Sequence, residues 1–172
     1  MKIEQLFSRD QIAERVNELG RKISADYSDK KQLLVLCILN GSIFFTADLL
    51  REISVPCNLN CIKAKSYQGT QSTGNVNISY GADVDVSGCD VLIIEDIVDT
   101  GTTLKALIEK YNLQKPNSLK VCTFLNKKER RTSDVSADYV GFEIDDIFVV
   151  GYGMDYDGKY REIPYIGYIT EG

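Results

Sequence analysis

No histidine occurs among the 172 residues. That absence excludes a Ser-His-Asp triad, a Cys-His pair and a histidine-ligated zinc, so acid–base work falls to Asp, Glu, Lys or Tyr. No apolar run approaches 18 residues, and the opening MKIEQLFSRDQ lacks a basic-then-apolar leader pattern, so a cytoplasmic protein without a membrane anchor is expected. The five cysteines, at 37, 57, 61, 89 and 122, form no C-x-x-C pair, and an odd number fits a disulfide framework poorly; reduced thiols are expected. There is no basic surplus either. Twenty Lys and Arg against 25 Asp and Glu leave a net charge of −5, which argues against a nucleic-acid backbone as partner. A small anionic substrate would need local positive charge.

What is present is ordinary for a soluble chain, with 44% hydrophobic and 26% charged residues, and the length suits a single domain over 1–172. Ser8 to Gln11 has the spacing of a capping box, and Ile12, Val16, Leu19 and Ile23 follow at helical intervals, so 9–25 reads as an amphipathic helix. The continuous apolar run LLVLCIL at 33–39 reads as a buried strand, followed by NGS and a helical IFFTADLLREI. CNLNCIKAK (57–65) alternates like a strand. VLIIE (91–95) and TTLKALIEKYNL repeat the strand-turn-helix pattern, and strands are expected at 119–125 and 147–152. Strands alternating with helices imply an α/β fold with a parallel central sheet flanked by helices, its ligands at the carboxyl ends of the strands. The polar stretch SYQGTQSTGNVNISYG (66–81) reads as one long mobile loop, a candidate lid.

The chemistry concentrates in EDIVDTGTT (95–103). Successive N–H groups opening a helix after a glycine can cradle a phosphate. Glu95, Asp96 and Asp99 would repel that phosphate unless Mg2+ lies between them or they accept hydrogen bonds from sugar hydroxyls. Sugar, phosphate and metal together satisfy the pattern. Competing motifs fit less well. DTGTT occurs once and leads into a helix, where an aspartic protease pairs two such loops. There is no G-x-x-x-x-G-K-[ST], and GYGMDY lacks the third glycine of a dinucleotide fingerprint.

VLIIEDIVDTGTTL resembles the phosphoribosyl-diphosphate motif of type I phosphoribosyltransferases, and its Glu-Asp-x-x-Asp-Thr-Gly form is similar to the hypoxanthine(-guanine) branch. Four further stretches agree in order: LNGS (39–42), Ser66-Tyr67 opening the long loop, LNKKERR (125–131) and FVVGYGMDYDGKYREIPYIG (148–167). The resemblance implies a small hood and a mobile lid beside the sheet, and Mg2+-dependent transfer of a phosphoribosyl group to a 6-oxopurine by a homodimer or homotetramer. It further implies that Glu95 and Asp96 hold the ribose hydroxyls and a Mg2+, that Asp99, Thr100, Gly101, Thr102 and Thr103 bind the 5′-phosphate, and that Asp99 is the general base. Leu39, Asn40, Gly41 and Ser42 would form the pyrophosphate loop, with a cis bond at Leu39-Asn40, and Arg161 would approach the pyrophosphate. Lys127, Phe148, Val149 and Asp155 would surround the purine, Asp155 holding a second Mg2+, and Ser66 and Tyr67 would belong to the lid. Asn40 departs from the family, in which that position is often basic, so pyrophosphate contact is expected to rest more on backbone N–H groups and Arg161. Two rival classes are a nucleotide-sensing regulator on the same fold, expected to lose Asp99 or carry a basic patch, and an aspartic hydrolase indifferent to Mg2+.

Overall fold

The computed structural model describes residues 2–66 and 76–170. Its main sheet has six strands in the order β4-β3-β2-β5-β6-β7, formed by β2 (Leu33–Ile38), β3 (Cys57–Ser66), β4 (Val76–Tyr80), β5 (Asp90–Val98), β6 (Ser118–Asn126) and β7 (Tyr139–Glu143). All neighbours pair in parallel except β4, which runs antiparallel to β3 along one edge. A smaller antiparallel sheet, the hood, joins β1 (Lys2–Phe7), β9 (Ile166–Thr170) and β8 (Val149–Val150).

The period-two alternation of side chains divides the core. Leu33 and Val35 of β2, Leu92 and Ile94 of β5, and Cys122 and Phe124 of β6 meet the buried stripe of α1 (Arg9–Asp26) and α2 (Ile43–Glu52). Leu34, Leu36, Ile38, Val91, Ile93 and Val121 point the other way, to Leu104, Leu107 and Tyr111 of α3 (Thr102–Asn112). A strand buried on both faces needs apolar residues at every position, which is why β2 reads as a continuous run. Helix α1 starts as its capping box requires: Gln11 N–H donates to Ser8 Oγ at 3.2 Å, and Ser8 N–H to Gln11 Oε1 at 2.8 Å.

Three expectations need correction. The stretch 66–81 is not one loop, because Val76–Tyr80 forms β4; Val76 and Ile78 pack against the α3 side of the core. The strand expected at 147–152 is reduced to Val149–Val150 and belongs to the hood rather than the main sheet, whose edge is instead β7. Strands β1, β7 and β9 were not anticipated. All five cysteines are free, Cys37 and Cys122 buried and the other three half-buried. Among the described residues no helix is long and apolar enough to cross a membrane.

Candidate active site

Because β2, β5 and β6 are parallel, the segments leaving their carboxyl ends emerge along one edge. A cavity of about 340 Å³ opens there, walled by Leu39–Gly41, by Glu95–Leu104 and by Asp155 and Arg161. A larger cavity, about 520 Å³, lies between α1, α2 and the hood. It shares Arg161 but none of the acids that end β5, so the chemistry belongs to the smaller one.

The turn between β5 and α3 is held from behind. Gly101 has φ of 81°, a left-handed conformation that glycine adopts without penalty, and a Cβ there would crowd Val135 and Arg131. The Arg131 guanidinium donates to Asp99 O (3.1 Å), Val98 O (3.5 Å), Val135 O (2.6 Å) and Asn126 Oδ1. Thr132 and Ser133 N–H groups donate to Thr100 O at 3.1 and 3.2 Å. The loop's carbonyls are thus committed to the protein, while Thr102 and Thr103 at the start of α3 stand in the cavity wall. First-turn N–H groups have no partner within a helix, and the helix dipole favours an anion beside them.

The acids are distributed around this terminus. Glu95 Oε1 accepts from Asp96 N–H at 3.1 Å, and Asp96 Oδ1 accepts from Ile97 N–H at 2.8 Å. Desolvation, and then the neighbouring Asp96 carboxylate, hold the Glu95 carboxyl well above the ordinary carboxylate range. Asp99 Oδ1 is buried with no hydrogen-bond partner, and its Oδ2 lies 3.5 Å from Arg130 Nη1. Asp155 pairs with Arg161 Nη2 at 2.7 Å and accepts from Gly158 N–H at 2.8 Å. Among the described residues no three acidic or thiol side chains converge to cage a metal. Mg2+ does not require a cage: it commonly binds one or two carboxylates together with substrate phosphates. The desolvated Glu95 and the adjacent Asp96, in the same wall as the N–H groups that open α3, fit such a cation; Asp155, engaged by Arg161, fits it less directly.

The structure brings Leu39, Asn40, Gly41, Glu95, Asp96, Asp99, Thr100–Thr103, Asp155 and Arg161 to one cavity. The Leu39-Asn40 bond is cis. Ser42 is not brought there: it is fully buried, its hydroxyl donates to Ile38 O at 2.6 Å and sits 3.3 Å from Cys37 Sγ. Arg161 reaches Gly153 O at 2.5 Å as well as Asp155. Lys127, Phe148 and Val149 lie outside those walls. Lys127 is 6% exposed and follows β6, its N–H donating to Val98 O at 3.0 Å. Phe148 is exposed and meets Tyr156 edge to face, with ring centroids 5.5 Å apart, while Val149 is buried in the hood. Ser66 ends β3, and Tyr67 with the rest of the expected lid up to residue 75 lies outside the described residues. Sequence reasoning missed Arg130, Arg131 and Asp146. The basic cluster KKERR was the available signal, but nothing in it separates a solvated arginine from one that holds the loop.

The sequence profile described as "Phosphoribosyl transferase domain" matches residues 2–157. The chain is 44% identical over 175 residues to a hypoxanthine-guanine phosphoribosyltransferase of Dictyostelium discoideum, an alignment covering 99% of this chain and 97% of the relative. Among solved structures, a hypoxanthine-guanine phosphoribosyltransferase from Bacillus anthracis superposes with a TM-score of 0.91 at 41% identity, covering 98% of this chain and 100% of the other. The hypoxanthine phosphoribosyltransferase of Trypanosoma cruzi in complex with the product IMP superposes with a TM-score of 0.90 at 39% identity, covering 96% and 93%.

Proposed function

The chain belongs to the phosphoribosyl transferase domain family, and from that premise we propose that it is a purine-salvage enzyme. It transfers the 5-phosphoribosyl group of phosphoribosyl diphosphate to hypoxanthine, and to guanine, giving IMP or GMP and pyrophosphate with Mg2+ as cofactor. The names of its relatives, and the IMP bound by one of them, support this reading. The observation that carries it is the convergence on one cavity of the α3 start, the Leu39–Gly41 turn and the Glu95–Asp96 pair.

Each part has a task. Asp99 to Thr103 bind the 5′-phosphate through the opening of α3, and Glu95 and Asp96 hold the ribose hydroxyls and Mg2+. Leu39–Gly41 and Arg161 receive the pyrophosphate, Asn40 contributing no charge of its own. The bond from the anomeric carbon to pyrophosphate breaks as the purine N9 bonds to that carbon, and the purine's proton passes to Asp99. The buried, unpartnered Asp99 Oδ1 suits that role, which is typically worth about 10²–10⁴-fold. Mg2+, when bound, supplies Lewis-acid neutralisation of the pyrophosphate charge. Lys127 donates to the 6-oxo oxygen, Phe148 stacks on the ring, and Val149 and Asp155 flank the base. The polar run beginning at Ser66 and Tyr67 is assigned the task of excluding water, which competes for the same carbon, from its composition alone. Residues 1–172 act as one domain, in a cytoplasmic homodimer or homotetramer.

Steady-state assays with phosphoribosyl diphosphate, Mg2+ and each 6-oxopurine test the proposal. Nucleotide formation that stops in chelator and returns with Mg2+ is expected. Full activity in chelator, or no nucleotide with any 6-oxopurine, would overturn it.

A further inference from the structure

Three ion pairs run in line beside the site. Lys127 Nζ lies 3.5 Å from Asp146 Oδ1, the same oxygen lies 3.7 Å from Arg130 Nη1, and that nitrogen lies 3.5 Å from Asp99 Oδ2. The signs alternate from end to end. The terminal members, Lys127 and Asp99, are the two side chains to which the proposed reaction gives the purine's 6-oxo group and its proton. The middle members come from separate segments: Arg130 from the LNKKERR stretch, where the resemblance gives it no role, and Asp146 from outside every stretch that carries the resemblance.

Exposure falls towards the Lys127 end. Lys127 is buried, whereas the Asp146 and Arg130 side chains are 47% and 50% exposed and Asp99 is partly exposed with its Oδ1 buried. The two Arg130 pairs, half-exposed at these separations, contribute about 1 kcal/mol or less to stability. A stability role is therefore small, and geometry is what the line can control. A lysine ammonium is a point charge on a flexible four-carbon stem, and ordering it costs up to about 2 kcal/mol of rotamer entropy. Among the described residues Asp146 is its one acidic partner, and no protein oxygen accepts a hydrogen bond from Nζ. The ammonium is thus held in direction while its donors stay available to a ligand. At the other end, among the described residues, Arg130 is the one side-chain cation paired with the Asp99 carboxylate. It engages Oδ2 and leaves the buried Oδ1 without a partner. Arg130 is itself presented by a turn that Arg131 N–H closes onto Lys128 O at 3.1 Å.

We infer that Asp146 and Arg130 are positioning residues for transfer to the purine. Asp146 fixes the Lys127 ammonium and, through Arg130, the Asp99 carboxylate, so the two purine contacts are set as one unit. The inference rests on the proposed phosphoribosyl transfer and adds the residues that arrange its purine side.

The test is steady-state kinetics with hypoxanthine, phosphoribosyl diphosphate and Mg2+ on Asp146→Ala, Asp146→Asn, Arg130→Ala, Arg130→Lys, Lys127→Ala and the Asp146→Ala/Lys127→Ala double variant. Asp146→Ala should raise KM for hypoxanthine about tenfold or more while KM for phosphoribosyl diphosphate stays within about twofold, and Asn, which keeps an acceptor oxygen, should recover part of the loss. Arg130→Ala should lower kcat about three- to tenfold with a smaller change in KM for the base, and Arg130→Lys should restore most of it. In KM for hypoxanthine the double variant should match Lys127→Ala within about twofold, since residues acting through one another are not additive, while its kcat falls further because Asp146 also holds Arg130. Asp146→Ala with both constants within twofold of wild type, equal rises in both KM values with a lowered melting temperature, or full additivity of the hypoxanthine KM effects in the double variant would overturn the inference. If the wild-type protein uses no 6-oxopurine, the functional reading itself fails, which these variants do not mimic.

Discussion

Replacing Gly153 by alanine probes how the segment after β8 is seated on the Leu39–Gly41 turn, to which pyrophosphate binding is proposed. Gly153 has φ of 101°, which costs an L-residue about 1–3 kcal/mol. A Cβ there would fall well inside van der Waals contact of the Gly41 carbonyl oxygen and 3.4 Å from Phe44 Cδ2. The obstacle is backbone, so no rotamer relieves it, and one of the two segments must move. Strain and displacement together should cost about 2–4 kcal/mol. The movement would also disturb Gly153 O and Gly153 N–H, which bond the Arg161 side chain and Arg161 O. KM for phosphoribosyl diphosphate should therefore rise more than KM for the purine. Gly158 is the control: its φ is 75° but nothing lies within 4 Å of its Cβ position, so Gly158→Ala should cost only the left-handed strain of about 1–2 kcal/mol. Urea denaturation of both variants and their kinetics decide the matter. If Gly153→Ala were no less stable than Gly158→Ala, with an unchanged KM for phosphoribosyl diphosphate, the claimed contact between that segment and the turn would be refuted.

Two further predictions concern the acids. Asp99→Asn keeps the side chain's shape and removes the proposed base, so turnover should fall about 10²–10⁴-fold while phosphoribosyl diphosphate binding, read by calorimetry, largely persists; unchanged turnover would place the base elsewhere. Because the Glu95 carboxyl is raised by desolvation and by Asp96, it binds its proton more tightly folded than unfolded; that contribution is present at low pH and lost as pH rises through the folded value. Glu95→Gln, neutral throughout, should therefore stabilise the ligand-free protein at neutral pH, with the gain shrinking towards about pH 4, and urea midpoints that show no such pH-dependent gain would contradict the burial argument.

The elements legible in the sequence are those whose environment is one-sided or uniform. Helix α1 announces itself through Ser8, Gln11 and the Ile12-Val16-Leu19-Ile23 stripe, and β2 and β5 through unbroken apolar runs. Strand β4 was hidden because it is an edge: only Val76 and Ile78 pack inward, while Asn77, Ser79 and Tyr80 are exposed. Strand β7 carries Gly141 in its middle, which weakens the pattern, and the pairing of β1 with β9 joins residues 159 to 168 positions apart with no local signal. The site divides in the same way. EDIVDTGTT is contiguous and its chemistry can be read in order, whereas the line from Lys127 through Asp146 and Arg130 to Asp99 exists only once β6, its following turn and the approach to the hood are folded together. Lys127 and Lys128 are adjacent in sequence, yet one is buried and the other exposed.

The most direct measurement offers hypoxanthine and adenine together to the protein with phosphoribosyl diphosphate and Mg2+, and quantifies IMP and AMP. An ammonium has only donors, so Lys127 can bond a 6-oxo oxygen but not a 6-amino group, and a buried donor left unpaired penalises the wrong base. IMP should exceed AMP by about 10⁴-fold or more, and Lys127→Ala should narrow that ratio by depressing IMP formation. Comparable AMP and IMP, or a ratio unmoved by Lys127→Ala, would contradict the assignment of 6-oxopurine transfer to this protein and of base recognition to Lys127.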